Sequence, residues 1–169
     1  MRVLVMGAGA VGGYYGALLA QRGHAVTFVA RGAHLAALRR DGLAIVSGGR
    51  TTVLHPITAV ASPADAGADF DLVLFTVKGY DTDAAAVALR PAMGAKTAVL
   101  TLQNGVDSVD RLGAVLGAER VLAGVTTIEA TIVAAGVVER TGPTPRIVLG
   151  EAAGAPTPRV ETIAAALRD

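Results

Sequence analysis

Residues 1–31 constrain the fold of this chain more than any other stretch. A short apolar run, Arg2-Val3-Leu4-Val5-Met6, leads into Gly7-Ala8-Gly9-Ala10-Val11-Gly12-Gly13. Small and apolar residues over 14–21 then read as a helix, closed by Arg22-Gly23-His24, and Ala25-Val26-Thr27-Phe28-Val29-Ala30 is a second apolar run. Strand, glycine turn, helix and strand in this length make one βαβ unit. Each glycine of Gly7-x-Gly9-x-x-Gly12 has its own physical job. The first permits a tight turn, the second lets a pyrophosphate approach the backbone, and the third lets the helix pack on the strand. The helix N-terminus then offers unpaired N–H groups and partial positive charge to an anion. A lone GxGxxG is weak, but this one follows a strand and opens a helix, which favours a dinucleotide site over a purely structural turn.

The end of the second strand bears on which dinucleotide. An NAD site usually carries Asp or Glu there for the ribose 2′-hydroxyl. Here the strand ends Ala30-Arg31-Gly32 with no acid nearby. An arginine fork suits a 2′-phosphate, so NADP(H) is the expected cofactor; the competing reading is a solvated surface arginine.

At 169 residues, 52% hydrophobic and 17% charged, the chain has enough material for one domain with a full core and is a poor candidate for disorder. A net charge of +1 and 4% aromatic residues give no electrostatic or stacking case for nucleic acid. The absence of cysteine excludes disulfides, thiol chemistry and thiolate metal sites. Arg2 and the apolar residues up to Ala20 resemble a signal peptide, but the glycines at 7, 9, 12, 13 and 16 make a poor hydrophobic region. No other stretch is apolar enough to span a membrane, and a soluble cytoplasmic protein is expected.

Further along, 32–40 reads as a helix ended by Asp41-Gly42. The runs 43–46 and 51–54 around Ser47-Gly48-Gly49-Arg50 read as a hairpin. Pro56, Pro63 and the 64–69 stretch read as a connection with a short helical turn. Residues 71–77 form a continuous apolar strand of the kind buried on both faces of a parallel sheet. A helix capped by Asp81 or Thr82 runs to about Leu89. Then come a strand over 97–102, a helix over 106–116 and a strand over 121–126. Short strands follow over 128–133, 136–141 and 146–149, then a Pro/Gly/Ala loop over 152–158 and an amphipathic helix over 160–167. The alternation predicts a Rossmann-type, doubly wound α/β fold with a mostly parallel sheet and helices on both faces. In such sheets ligands sit beyond the carboxyl ends of the strands, which would gather the Gly7-x-Gly9-x-x-Gly12 turn, Arg31, Lys78 and Asn104 on one rim.

Two groups on that rim could take part in chemistry. Lys78 is one of only two lysines beside thirteen arginines. At a strand end it could hold a carboxylate or carbonyl oxygen, and burial there would lower its pKa; otherwise it is a solvent-facing lysine at a helix start. Asn104 in Gln103-Asn104-Gly105 could both donate and accept, although Asn-Gly is also a common turn dipeptide. His24, His34 and His55 have no metal-ligand spacing and read as structural or surface residues. No nucleophile elbow, Gly-Lys-Ser/Thr phosphate loop or zinc pattern is present.

Taken in order, Gly7-Ala8-Gly9-Ala10-Val11-Gly12, Ala30-Arg31-Gly32 with His34, Thr76-Val77-Lys78 with Tyr80-Asp81, and Gln103-Asn104-Gly105 resemble the ketopantoate reductases (2-dehydropantoate 2-reductases). The similarity covers essentially the whole chain. It implies NADPH-dependent reduction of 2-dehydropantoate to pantoate, on the route to pantothenate and coenzyme A. By that resemblance the glycine turn, with Ala8, Ala10 and Val11, cradles the pyrophosphate and Arg31 holds the 2′-phosphate. Lys78 and Asn104 match positions near nicotinamide and substrate. Ala130 matches a position that meets the cofactor through its backbone.

The resemblance also implies a second, helical domain absent from this chain. In the family that domain supplies the general-acid lysine, most substrate-binding asparagines and serines, and a glutamate that meets the cofactor. Residues 1–169 are thus expected to be an NADP-binding domain, inactive alone, with apolar docking surface that favours a homodimer. Lys96 precedes a strand and falls at the wrong end of the sheet. Two other readings stand beside this one. The chain could serve a reductase of another 2-keto acid, or it could be a non-catalytic NADP-binding or sensing module, although Lys78 with Asn104 is more than a pure binder needs.

Overall fold

In the computed structural model, residues 1–152 and 154–168 are described; Ala153, within the loop expected over 152–158, and Asp169 lie outside them. The first half runs β1 (Arg2–Met6), α1 (Ala10–Gln21), β2 (Ala25–Val29), α2 (Gly32–Asp41), β3 (Leu43–Ser47), β4 (Arg50–Leu54), β5 (Thr58–Val60) and β6 (Leu72–Phe75). The second half runs α3 (Thr82–Leu89), β7 (Ala98–Thr101), α4 (Ser108–Leu116), β8 (Val121–Thr126), β9 (Glu129–Ala134), β10 (Val137–Thr141), β11 (Ile147–Glu151) and α5 (Pro158–Leu167).

Side chains alternate across β1, and the alternation divides the interior. Val3 and Val5 join one core with Tyr15 and Leu19 of α1, Leu35 and Leu38 of α2, and Val160 and Ile163 of α5. Leu4 and Met6 join the other, with Ala85, Ala86 and Leu89 of α3 and Leu112 of α4. A sheet apolar on both faces must carry helices on both, which is the expected doubly wound arrangement. Seven strands make the sheet in the order β11-β8-β7-β6-β1-β2-β5. All neighbours are parallel except β11, which runs antiparallel to β8. Strand order reverses between β1 and β6, so the crevice at their carboxyl ends is the place where such a fold holds a ligand. Among the described residues no helix is long and apolar enough to cross a membrane.

A second sheet, order β4-β3-β10-β9, was not foreseen. The expected β3–β4 hairpin is present, but its partner is β10, parallel to β3 and about ninety residues later. This sheet covers α1: a Cβ on Gly13 would stand 3.1 Å from Val138 Cγ2. β5 was also missed, because three residues between prolines carry no pattern, while the helical turn expected nearby is a 3-10 turn over Pro63–Ala66.

Local boundaries differ from expectation at three helices. α1 begins at Ala10, directly on the glycine turn, and α4 begins at Ser108, leaving Val106 exposed. Neither Asp81 nor Thr82 caps α3 by accepting from its backbone. A 3-10 turn over Gly79–Asp81 precedes the helix, and Thr82 Oγ1 instead donates to the Gly79 carbonyl at 2.9 Å.

Candidate functional site

The glycine turn is held from both sides. The Ala8 N–H donates to the Val29 carbonyl at 2.9 Å, tying the turn to the end of β2. Thr76 Oγ1, at the end of β6, donates to the Gly7 carbonyl at 2.7 Å. Gly7 has φ +100°, a conformation that needs glycine. A Cβ on Gly12 would lie 2.3 Å from the Gly7 carbonyl oxygen and 2.4 Å from Thr76 Oγ1, so glycine there is a packing requirement. Gly9 is different: it has φ −74°, and a Cβ on it would meet nothing within 4 Å. Neither backbone conformation nor packing within the chain asks for glycine at position 9. The N-terminus of α1, which starts there, has no side-chain cap and no acidic residue in its first turn.

Two clefts adjoin this turn. The first, about 250 Å³, is lined by Gly7, Ala8, Gly9, Ala30, Arg31, His34, Lys78, Asp81 and Ile132, among others. The second, about 200 Å³, is lined by Gly9, Ala10, Val11, Lys78, Gln103, Asn104 and Ala130, among others. They share Gly9, Thr76, Val77 and Lys78. The structure thus places Arg31 at one end, Asn104 and Ala130 at the other, and the glycine turn with Lys78 between. Gly12 lines neither cleft; it lies buried beneath the turn. Lys78 and Asn104 are exposed, so the burial that could have tuned Lys78 is not found in this chain. Lys96 precedes β7 at the opposite end of the strand from Asn104, as expected.

Three contributors were given no role at the site from the sequence. Gln103 braces the rim: its Nε2 donates to the Val77 carbonyl at 2.9 Å and to Thr82 Oγ1 at 2.8 Å. Thr76 bridges the ends of β1 and β6. His34, read as structural or surface, is half-buried in the wall of the first cleft, and the Gly136 N–H donates to its Nδ1 at 3.1 Å. Their partners lie far away in sequence, so no local spacing pointed to these contacts, although all three residues fall within the stretches that carry the family resemblance.

A parallel sheet wound on both faces, with a glycine turn and an open, uncapped helix start at its switch point, defines a Rossmann-type α/β protein. Within that class the chain belongs to the ketopantoate reductase family: the family model described as ketopantoate reductase PanE/ApbA matches residues 3–154. The 2-dehydropantoate 2-reductase of Halobacterium salinarum is 41% identical over 98% of this chain and 54% of that protein. The one from Archaeoglobus fulgidus is 39% identical over 99% of this chain and 53% of that protein. A crystal structure of 2-dehydropantoate 2-reductase from Porphyromonas gingivalis superposes with a TM-score of 0.92 at 33% identity, over 99% of this chain and 60% of that one. The chain spans about half the length of the curated relatives it matches.

Proposed function

We propose that residues 1–169 are the NADP(H)-binding domain of a cytoplasmic 2-dehydropantoate 2-reductase. The observation that carries this reading is Gly9, a glycine with ordinary backbone and empty space above it, at an uncapped helix start. Close approach of a phosphate group accounts for both features. Relatives named 2-dehydropantoate 2-reductase supply the substrate class.

In this reading Gly7, Ala8, Gly9, Ala10, Val11 and Gly12 form the pyrophosphate cradle. Arg31 holds the 2′-phosphate, and the lack of an acid at the end of β2 favours NADP(H) over NAD(H). Lys78 and Asn104 orient nicotinamide and keto acid in the second cleft, and Ala130 meets the cofactor through its backbone. Bound NADPH would supply the hydride that reduces the ketone of 2-dehydropantoate to the alcohol of pantoate. Lys78 offers a cation and Asn104 an amide donor to the carboxylate and carbonyl of the keto acid. Reduction also needs a proton. By the family resemblance its donor would be a lysine of a helical domain outside these residues; Lys96, at the far end of the sheet, does not reach the site.

The test is reconstitution. The helical half of a related reductase, added in trans, should give NADPH consumption that depends on 2-dehydropantoate, with neither half active alone. If the combined halves never consume NADPH while the intact relative does in the same assay, the reading fails. We also expect self-association. Val125 and Val148, opposite one another on β8 and β11, are 69% and 73% exposed. Sedimentation at high concentration should show a dimer; a strictly monomeric species would contradict this.

A further inference from the structure

His34 has a hydrogen bond to give and nothing among the described residues to receive it. Its Nδ1 accepts from the Gly136 N–H, which places the ring hydrogen on Nε2. Nε2 is buried without a hydrogen-bond partner, the one side-chain nitrogen or oxygen so left among the described residues. A buried polar group without a partner costs stability and calls for an explanation, such as a ligand. The surroundings supply one. His34 lines the first cleft together with Gly7, Gly9, Arg31 and Lys78. It is the third residue of α2, and Arg31 is the extended residue that caps the start of that helix.

We propose that His34 is a cofactor-contacting residue that helps set cofactor preference: its Nε2–H donates to an oxygen of the 2′-phosphate that Arg31 holds. The inference rests on the NADP(H) reading above and adds a residue to it. Nε2 is closed to water in the free chain, so the proposed contact requires side chains at the cleft wall to give way when the dinucleotide binds. A hydrogen bond made there to a charged group is shielded from water and correspondingly strong. Gly136 has a part in this: its N–H holds the ring in the tautomer that carries its hydrogen on Nε2, joining the β9–β10 turn to His34.

The test is a set of titrations of the 169-residue chain with NADPH and NADH. In His34→Asn the shorter side chain keeps an acceptor where Nδ1 stood and has no atom in the place of Nε2. It should weaken NADPH by about tenfold, the usual scale for a hydrogen bond to a charged group, and change NADH by less than about twofold. His34→Asn binding NADPH like the wild type overturns the inference. Equal weakening of both dinucleotides places the contact on the pyrophosphate and also overturns it. If the wild type prefers NADPH and Arg31→Ala removes the preference while His34→Asn changes nothing, only the His34 inference falls. If the wild type shows no preference, the NADP(H) reading falls with it. A measurement on the wild type guards against a variant that fails to fold. With ¹⁵N-labelled histidine, the His34 Nε2 resonance should move on adding NADPH and stay in place with NADH. No response to NADPH overturns the inference.

Discussion

Gly9 and Gly12 are three residues apart and are glycines for different reasons. Gly12→Ala drives a methyl group into the Gly7 carbonyl and Thr76 Oγ1 and should destabilise the chain by about 3 kcal/mol, read from urea unfolding. Gly9→Ala finds open space and an ordinary φ, so it should unfold within about 0.5 kcal/mol of the wild type. Yet it should weaken dinucleotide binding by about tenfold or more, because the methyl group occupies the approach of the phosphate. Spacing alone had assigned these separate jobs, since a turn, a close approach and a helix–strand contact follow from where glycine falls between strand and helix. Other residues were less legible. Ala130 has a side chain with nothing to announce, and only the family resemblance pointed to it. His34 looked idle because Gly136, 102 residues away, is what fixes its ring.

At the level of elements, the rim depends on braces between successive strand ends. Gln103 spans from the end of β7 to Val77 and to Thr82, which is only 1% exposed. Gln103→Leu would take away the donor that serves the part-buried Val77 carbonyl and the buried Thr82 hydroxyl. It should cost about 2 kcal/mol and lower the melting midpoint by about 4–8 °C. A second brace joins β11 to the start of α5. Glu151 accepts from Thr157 Oγ1 and, through both oxygens, from Arg159. The Arg159 guanidinium, opposed by burial and helped by Thr157, holds the Glu151 carboxyl down from 4.5 to about 2. A depressed carboxyl stabilises the fold fully above its unfolded value, and that contribution is lost as pH falls through the folded value. The stability gap between wild type and Glu151→Gln should therefore be present at pH 7 and shrink between about pH 4.5 and 2. Its size should be about 1 kcal/mol, since Arg159 is 38% exposed and water screens the pair. A gap that is unchanged in denaturant unfolding at pH 7 and pH 2 would refute this. The centre of the main sheet was readable because fully buried parallel strands are continuous apolar runs, whereas the three-residue edge strand β5 was not. The second sheet was not, because pairing β3 with β10 is a long-range match that no local period records.

For the molecule as a whole, the switch point between β1 and β6 turns a list of strand ends into one trough. Arg31 lies toward one end, Asn104 and Ala130 toward the other, and Lys78 between them. In the proposed reading a dinucleotide laid along that trough has its 2′-phosphate end at Arg31 and its nicotinamide near Asn104. The most direct measurement is a pair of fluorescence titrations, NADPH and NADH against the purified chain, which contains no tryptophan to interfere. NADPH should bind more tightly than NADH, and Arg31→Ala should weaken NADPH by about ten- to a hundredfold while leaving NADH within about twofold. Failure of both nucleotides to bind, or equal binding that Arg31→Ala leaves untouched, would contradict the assignment of this domain to NADP(H).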